Sequence, residues 1–150
     1  MHMTPMTYEQ PKSASEAVAL MQECGNRAKV LGGGTDLIVD LKHKPGIVSV
    51  LVDITKIPEL QGIEEISEGL RIGSAVTYTS IMKSPVCQKL IPVVCEASHT
   101  VGAVQTRSLG TIGGNLVTCV PSADSAPSLM VLESVVTVAG NNGEIGRAHV

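Results

Sequence analysis

The chain has 150 residues, 43% of them hydrophobic and only 17% charged, with a formal net charge of −3. That is enough apolar material for a buried core and too little charge for a disordered chain. The slightly acidic balance argues against a basic nucleic-acid-binding stripe, and the near absence of aromatic residues (Tyr8 and Tyr78, no Phe, no Trp) excludes a ladder of base-stacking rings.

The four cysteines, Cys24, Cys87, Cys95 and Cys119, are scattered without a CxxC pair. They are expected to be buried or idle thiols, since neither a zinc knuckle nor a disulfide scaffold fits. No apolar run reaches the roughly 18 residues of a membrane span. Met1 to Thr7 lacks the basic and apolar regions of a signal peptide, so a cytoplasmic address is the default expectation. No internal repeat is evident.

In chain order, Ser13 and Glu16 have capping-box spacing ahead of a helical stripe (Ala17, Val18, Leu20, Met21), and Gly25 is a stop. A helix is expected over Ala14–Cys24. Ala28 to Leu31 reads as a buried strand. Gly32, Gly33 and Gly34 make a turn, and Thr35 or Asp36 can cap the helix that follows. Ile47 to Ile54 is a second strand, so the unit is a small parallel βαβ lobe. A boundary near residues 55–61 divides it from a second lobe of α+β type with antiparallel strands. There, Gly62–Ile66 and Leu70–Gly73 form a hairpin. Thr77 to His99 is helical with breaks at Pro85 and Pro92. Thr106 to Thr118, rich in Gly and Thr, is not expected to be a helix. Asp124 to Leu132 is helical, with Pro127 in its first turn. Ser134 to Ala139 is a strand that turns at Gly140–Gly143.

Candidate chemistry is confined to glycine segments. The histidines have no metal or triad spacing, and neither HExxH nor GxSxG occurs. GGGTDL (Gly32 to Leu37) is neither a Rossmann fingerprint nor a P-loop. It is suited to cradle a diphosphate, because glycines allow positive φ and close approach, and successive amides form a nest at a helix start. Read alone, it is also a plain tight turn. TIGGN (Thr111 to Asn115) offers the same close approach, and Thr111, Asn115 and Thr118 add side-chain hydrogen bonds. Asp124 can accept from ribose hydroxyls, or be an ordinary N-cap. Two such segments, one per lobe, suggest a nucleotide held in a cleft between them. A non-redox module holding another nucleotide remains open on this reading.

Three stretches together carry a resemblance: VLGGGTDLIVDLK (Val30 to Lys42), RIGSAVTYTSI (Arg71 to Ile81) and VGAVQTRSLGTIGGNLVTCVPSADSAPSLMVLE (Val101 to Glu133). Over residues 6–143 the chain resembles the FAD-binding medium subunit of molybdenum hydroxylases, the group of xanthine dehydrogenase and carbon monoxide dehydrogenase. The resemblance implies a two-lobed FAD-binding domain of vanillyl-alcohol-oxidase (PCMH) type. Lobe one would be about 1–58 and lobe two about 59–143. The implied cofactor-binding residues are Val30, Leu31, Gly32, Gly33, Gly34, Thr35, Asp36 and Leu37 around the pyrophosphate. Thr111, Ile112, Gly113, Gly114 and Asn115 would lie on its other side, with Thr111 and Asn115 as side-chain donors. Asp124 would bind the ribose with Thr118 nearby. Val101 stands where some relatives carry an aromatic residue, and Thr77 would be a flavin neighbour. Gln105 and Arg107 would be loop supports. No catalytic acid, base or nucleophile and no metal ligand is implied.

The implied role is electron relay from a molybdopterin-binding large subunit, through a two-cluster iron–sulfur small subunit, to FAD and on to NAD or another acceptor. A self-contained flavin oxidase or reductase of the same fold is the related alternative. Relatives continue past the Ser134–Ala139 strand, so the chain reads as C-terminally truncated, a fragment inactive alone. Its 144–150 tail (EIGRAHV) resembles a translated sequencing adapter and is expected to be non-native. The return strand is expected to be short, leaving an unpaired edge. Cys87 and Cys95 do not make the inserted-cluster loop of one relative, the benzoyl-CoA reductase flavoprotein, so no cluster is expected.

Overall fold

The computed structural model describes residues 4–46, 48–121, 123–141 and 143–149. Its first sheet has three parallel strands: β1 (Thr7–Glu9), β2 (Ala28–Leu31) and β3 (Val50–Asp53), in the order β1-β3-β2. The expected βαβ unit is present as β2, α2 (Leu37–His43) and β3. β1 was not expected from the sequence, since three residues carry no periodicity. Ile47, placed at the start of the second strand, lies outside the described residues.

The central strand β3 is buried on both faces, and its alternation sorts the core. Val52 joins Ala28, Ala17 and Ile57 under α1 (Ala14–Cys24), while Leu51 joins Val48 and Leu41 under α2. α1 has the bounds its capping residues predict. Ser13 Oγ accepts from the Glu16 amide at 3.1 Å, and Gly25 closes the helix at φ +53. The Glu16 carboxylate reaches back to the Lys12 amide at 2.7 Å.

From residue 63 onward a separate core begins. The hairpin β4 (Ile63–Ile66) and β5 (Gly69–Ile72) pairs antiparallel. Then α3 (Tyr78–Lys83), α4 (Pro85–Leu90) and α5 (Pro92–Thr100) follow, each of the last two opening on a proline. Tyr78, Ile81, Cys87, Val94, Cys95, Val101, Ile112 and Leu129 form this core. Cys87 and Cys95 are buried there as expected, but Cys119 is exposed.

Two expectations fail here. Thr106 to Thr118 is helical: α6 (Val104–Leu109) and α7 (Ile112–Thr118) flank Gly110. The Thr111 hydroxyl caps α7 by accepting from the Gly114 amide at 3.1 Å, and neighbouring backbone holds the helix start. Tertiary docking thus overrides the poor helix propensity of Gly113 and Gly114. Nor is the return strand short. β6 (Val135–Gly140) pairs antiparallel with β7 (Gly143–His149) along its whole length, with an irregularity between Val138 and Ala139. The turn residue Asn142 and the terminal Val150 lie outside the described residues. α8 (Ser125–Val131) precedes β6, with Pro127 in its first turn.

Candidate functional site

The chain leaves β2 at Leu31 and makes the glycine bend of residues 32–36 before α2 begins. Among the described residues, the amides of Gly32, Gly33, Gly34, Thr35 and Asp36 donate to no protein acceptor. This is a run of five consecutive amides without a protein acceptor, whereas no buried side-chain nitrogen or oxygen lacks a partner among the described residues. Asp36 stands at the N-cap of α2 but makes no side-chain cap bond.

The second glycine segment behaves differently. The chain just ahead of α3 runs beside Gly110–Gly113, with an antiparallel bridge between Thr77 and Thr111. The Ile112 amide donates to the Val76 carbonyl at 3.0 Å and the Gly113 amide to the Ser74 carbonyl at 3.0 Å. Gly114 donates to Thr111 Oγ1 and Asn115 to the Thr111 carbonyl. These amides are committed to the protein, so the second segment supplies side chains and shape rather than a nest.

The need for glycine also differs from the sequence-based reason. Of the five glycines in the two segments, Gly34 alone has positive φ, at +70. Gly33 is required by close approach, because a Cβ there would fall 1.9 Å from the Leu109 carbonyl oxygen. A Cβ on Gly113 would fall 2.6 Å from Ser74 Cβ. The close partner of each glycine is thus protein. The first bend nests directly on the α6–α7 corner, which brings the two segments face to face.

Between them lies a cavity of about 770 Å³, within the usual range for a small-molecule site. Val30, Gly32, Gly33, Gly34, Thr35, Asp36 and Leu37 line one wall, and Val101, Thr111, Gly113, Gly114, Asn115 and Thr118 line the other. Three expected residues do not line it. Leu31 packs with Leu37 and Ile38 against the α2 core, and Ile112 is buried in the second core. Asp124 is exposed ahead of α8, whose next residue, Ser125, turns inward instead. Thr77 is also off the wall, since its hydroxyl caps α3 by accepting from the Ser80 amide at 3.2 Å. Arg107 supports the loop as expected, donating from Nη1 to the Val101 and Gly102 carbonyls at 3.0 and 2.8 Å.

The walls include residues that sequence reasoning missed, among them Met21, Lys29, Asp40, Ser74 and Tyr78. Among the described residues, Lys29 is the one lysine or arginine on the walls, against Asp36 and Asp40. Side-chain charge alone therefore does not make the cavity attractive to an anion; the free amides must do so. Behind the second wall, Ser125 Oγ donates to Asn115 Oδ1 at 2.7 Å and lies 3.0 Å from the Tyr78 hydroxyl. Burial, the larger influence, pushes the Tyr78 phenol above its ordinary 10.0 despite the Ser125 hydrogen bond, and the Asp124 and Asp36 charges push the same way. Tyr78 and Ser125 lie in the resembling stretches, but outside the glycine segments, and only the tertiary packing joins them to the site.

Comparison with known proteins bears on what this cleft is. Residues 4–148 match the family model described as the FAD binding domain in molybdopterin dehydrogenase. The chain belongs to this family. It is 35% identical over 136 residues to the carbon monoxide dehydrogenase medium chain of Hydrogenophaga pseudoflava, covering 91% of this chain and 47% of the relative. It is 32% identical over 138 residues to the xanthine dehydrogenase FAD-binding subunit of Escherichia coli O157:H7, again 91% and 47%. The structure of carbon monoxide dehydrogenase from Hydrogenophaga pseudoflava lacking the Mo-pyranopterin moiety superposes with a TM-score of 0.94 at 33% identity, over 99% of this chain and 51% of that one. The chain thus spans about half the length of the curated relatives it matches.

The cofactor of this FAD-binding family fits the cleft. The free amides of residues 32–36 suit a diphosphate, and the cavity is partly apolar, with Met21, Val30, Leu37 and Ile54 on its walls. No group of three or more metal-ligating side chains occurs among the described residues. Likewise, none of the described helices is long and apolar enough to cross a membrane.

Proposed function

We propose that the chain is the FAD-carrying part of a molybdopterin-containing hydroxylase or dehydrogenase. In such an assembly electrons pass from iron–sulfur clusters on a small subunit to the flavin and on to NAD or another acceptor, while substrate is hydroxylated on a molybdopterin-binding large subunit. The observation that carries this reading is the run of five amides without protein acceptors at Gly32–Asp36, on a cavity shared with Thr111, Gly113, Gly114 and Asn115, in a chain of the FAD-binding family. The bound flavin supplies the redox chemistry; the protein supplies binding and orientation.

In this reading the 32–36 amides donate to the diphosphate oxygens, and Lys29 offsets part of the charge of Asp36 and Asp40. Thr111 keeps its hydroxyl proton free while its oxygen caps α7, so the same group can donate into the cavity. Asn115 Nδ2 is free to donate beside it. Val101 presents an aliphatic face, giving a smaller contact than an aromatic ring would. The two-lobed architecture agrees with the vanillyl-alcohol-oxidase type of FAD domain, and we propose that type here. None of these residues acts as an acid or base; their work is to hold and orient.

The test is flavin uptake with a competitor series. The full-length protein purified from its host should be yellow or take up added FAD. ADP should compete and riboflavin should not, because the diphosphate is the anchor. The chain should also co-purify with one iron–sulfur-bearing and one molybdopterin-bearing subunit. A protein that stays colourless after FAD addition overturns the reading. If flavin uptake occurs but riboflavin competes as well as ADP, the amide cradle is not the anchor. Replacing Asn115 with Ala should weaken FAD binding about tenfold, the loss expected for one hydrogen bond to a charged group.

A further inference from the structure

Asn115 can present either its oxygen or its nitrogen to the cavity, and only the nitrogen can donate to an anionic cofactor. Its own backbone does not decide between them. The decision comes from behind, where Ser125 Oγ sits 2.7 Å from Asn115 Oδ1 and 3.0 Å from the Tyr78 hydroxyl. Ser125 is fully buried and Tyr78 nearly so.

We infer that Tyr78 and Ser125 are positioning residues that set the Asn115 amide with its nitrogen toward the cofactor. The inference rests on the FAD reading and assigns to that site two residues of the resembling stretches for which no role was expected. Proton arithmetic carries it. A serine hydroxyl has one proton. If Ser125 donates to Asn115 Oδ1, its lone pairs accept from Tyr78, and all three groups are satisfied. In the flipped arrangement Asn115 Nδ2 donates to Ser125, and the Ser125–Tyr78 contact can then use only one of the two hydroxyl protons. The other hydroxyl proton is left without an acceptor at a buried site, since Ser125 is the one hydrogen-bond partner of the Tyr78 hydroxyl among the described residues. A buried unpaired donor is costly. The network therefore selects one orientation, and Nδ2 faces the cavity in the empty protein, before any ligand arrives. Tyr78 Oη–H to Ser125 Oγ–H to Asn115 Oδ1 is a one-way chain of donors, anchored in the α3–α8 core and ending at the cofactor wall.

The test is a coupling measurement on the assembled enzyme, stripped of flavin and titrated with FAD. Replacing Tyr78 with Phe and Ser125 with Ala together removes both buried hydroxyls and leaves neither orphaned, so the fold should survive. That pair variant is expected to bind FAD about three- to tenfold more weakly. In an Asn115→Ala background the same pair change should have no effect, because there is no amide left to orient. Equal losses in both backgrounds, or no loss in either, overturn the positioning role. If Asn115→Ala alone leaves FAD affinity unchanged, the donor role of Asn115 fails first and the positioning role falls with it. The melting temperature of each flavin-free variant separates a general loss of packing, which would lower affinity equally in both backgrounds. The single variant Ser125→Ala, which strands the Tyr78 hydroxyl, should melt lower than the pair.

Discussion

Gly33 illustrates how a site residue can be right for a reason different from the one first inferred. Its lack of a side chain reads in the sequence as room for a ligand, but the nearest obstacle is the Leu109 carbonyl, 1.9 Å from where a Cβ would stand. Gly33→Ala should therefore destabilise the flavin-free protein by about 1–3 kcal/mol or more, as overpacking does, and urea unfolding without FAD should read it. Loss of flavin binding in such a variant would report the fold before the site. Asp53 gives a second prediction at this scale. Burial pushes its carboxyl up, but hydrogen bonds from the Tyr8 hydroxyl, the Thr55 amide and Gln10 Nε2 together outweigh burial and leave it below its ordinary 3.8. In the unfolded chain this carboxyl takes up its proton first, so the stabilisation is complete well above pH 3.8. It is lost as pH falls through 3.8 toward the folded value. Asp53→Asn should cost about 1–2 kcal/mol at pH 7. Unfolding curves at pH 7, 5 and 3 should show that gap closing, and a constant gap would count against the carboxylate. Tyr78 behaves oppositely: the buried neutral phenol contributes fully below pH 10.0, and its contribution falls as pH rises through the higher folded value.

Among the elements, those that were legible in the sequence announce their own ends. Ser13 and Gly25 bracket α1, Pro85 and Pro92 open α4 and α5, and the β4–β5 hairpin follows from its glycine turn. β1 was hidden by its length, and α6 and α7 by their composition. In α7 two glycines, each worth about 1 kcal/mol against helix relative to Ala, are outweighed by bonds from the Ile112 and Gly113 amides to Val76 and Ser74, residues far away in the chain. No local pattern encodes such partners. Site residues followed the same rule: the glycine segments could be named from sequence, whereas the roles of Tyr78 and Ser125, which depend on packing between α3, α7 and α8, could not. The cap of α7 is open to test. Thr111→Val should cost about 1 kcal/mol through the lost Gly114 bond, and Thr111→Ser should restore most of it. Hydrogen exchange of the Gly114 amide should rise in the valine variant alone. Ser13→Ala should cost a similar amount in α1 without touching flavin affinity.

At the scale of the whole molecule, the three core clusters each stay on one side of residues 61–62. What joins the sides near the cavity is the seating of the 32–34 bend on the α6–α7 corner, with Gly32 also close against Thr111. One wall of the cavity comes from residues up to 54 and the other from residues 74 to 118. An occupant touching both walls acts as a clasp, so its free concentration should set how firmly the molecule holds together. Hundredfold excess over Kd adds about 2.7 kcal/mol against unfolding. The melting temperature should climb with each decade of FAD, and protease cuts between residues 55 and 75 should slow in parallel. A culture starved of riboflavin should then contain less of this protein at unchanged message level, because the vacant form is the one that proteases reach.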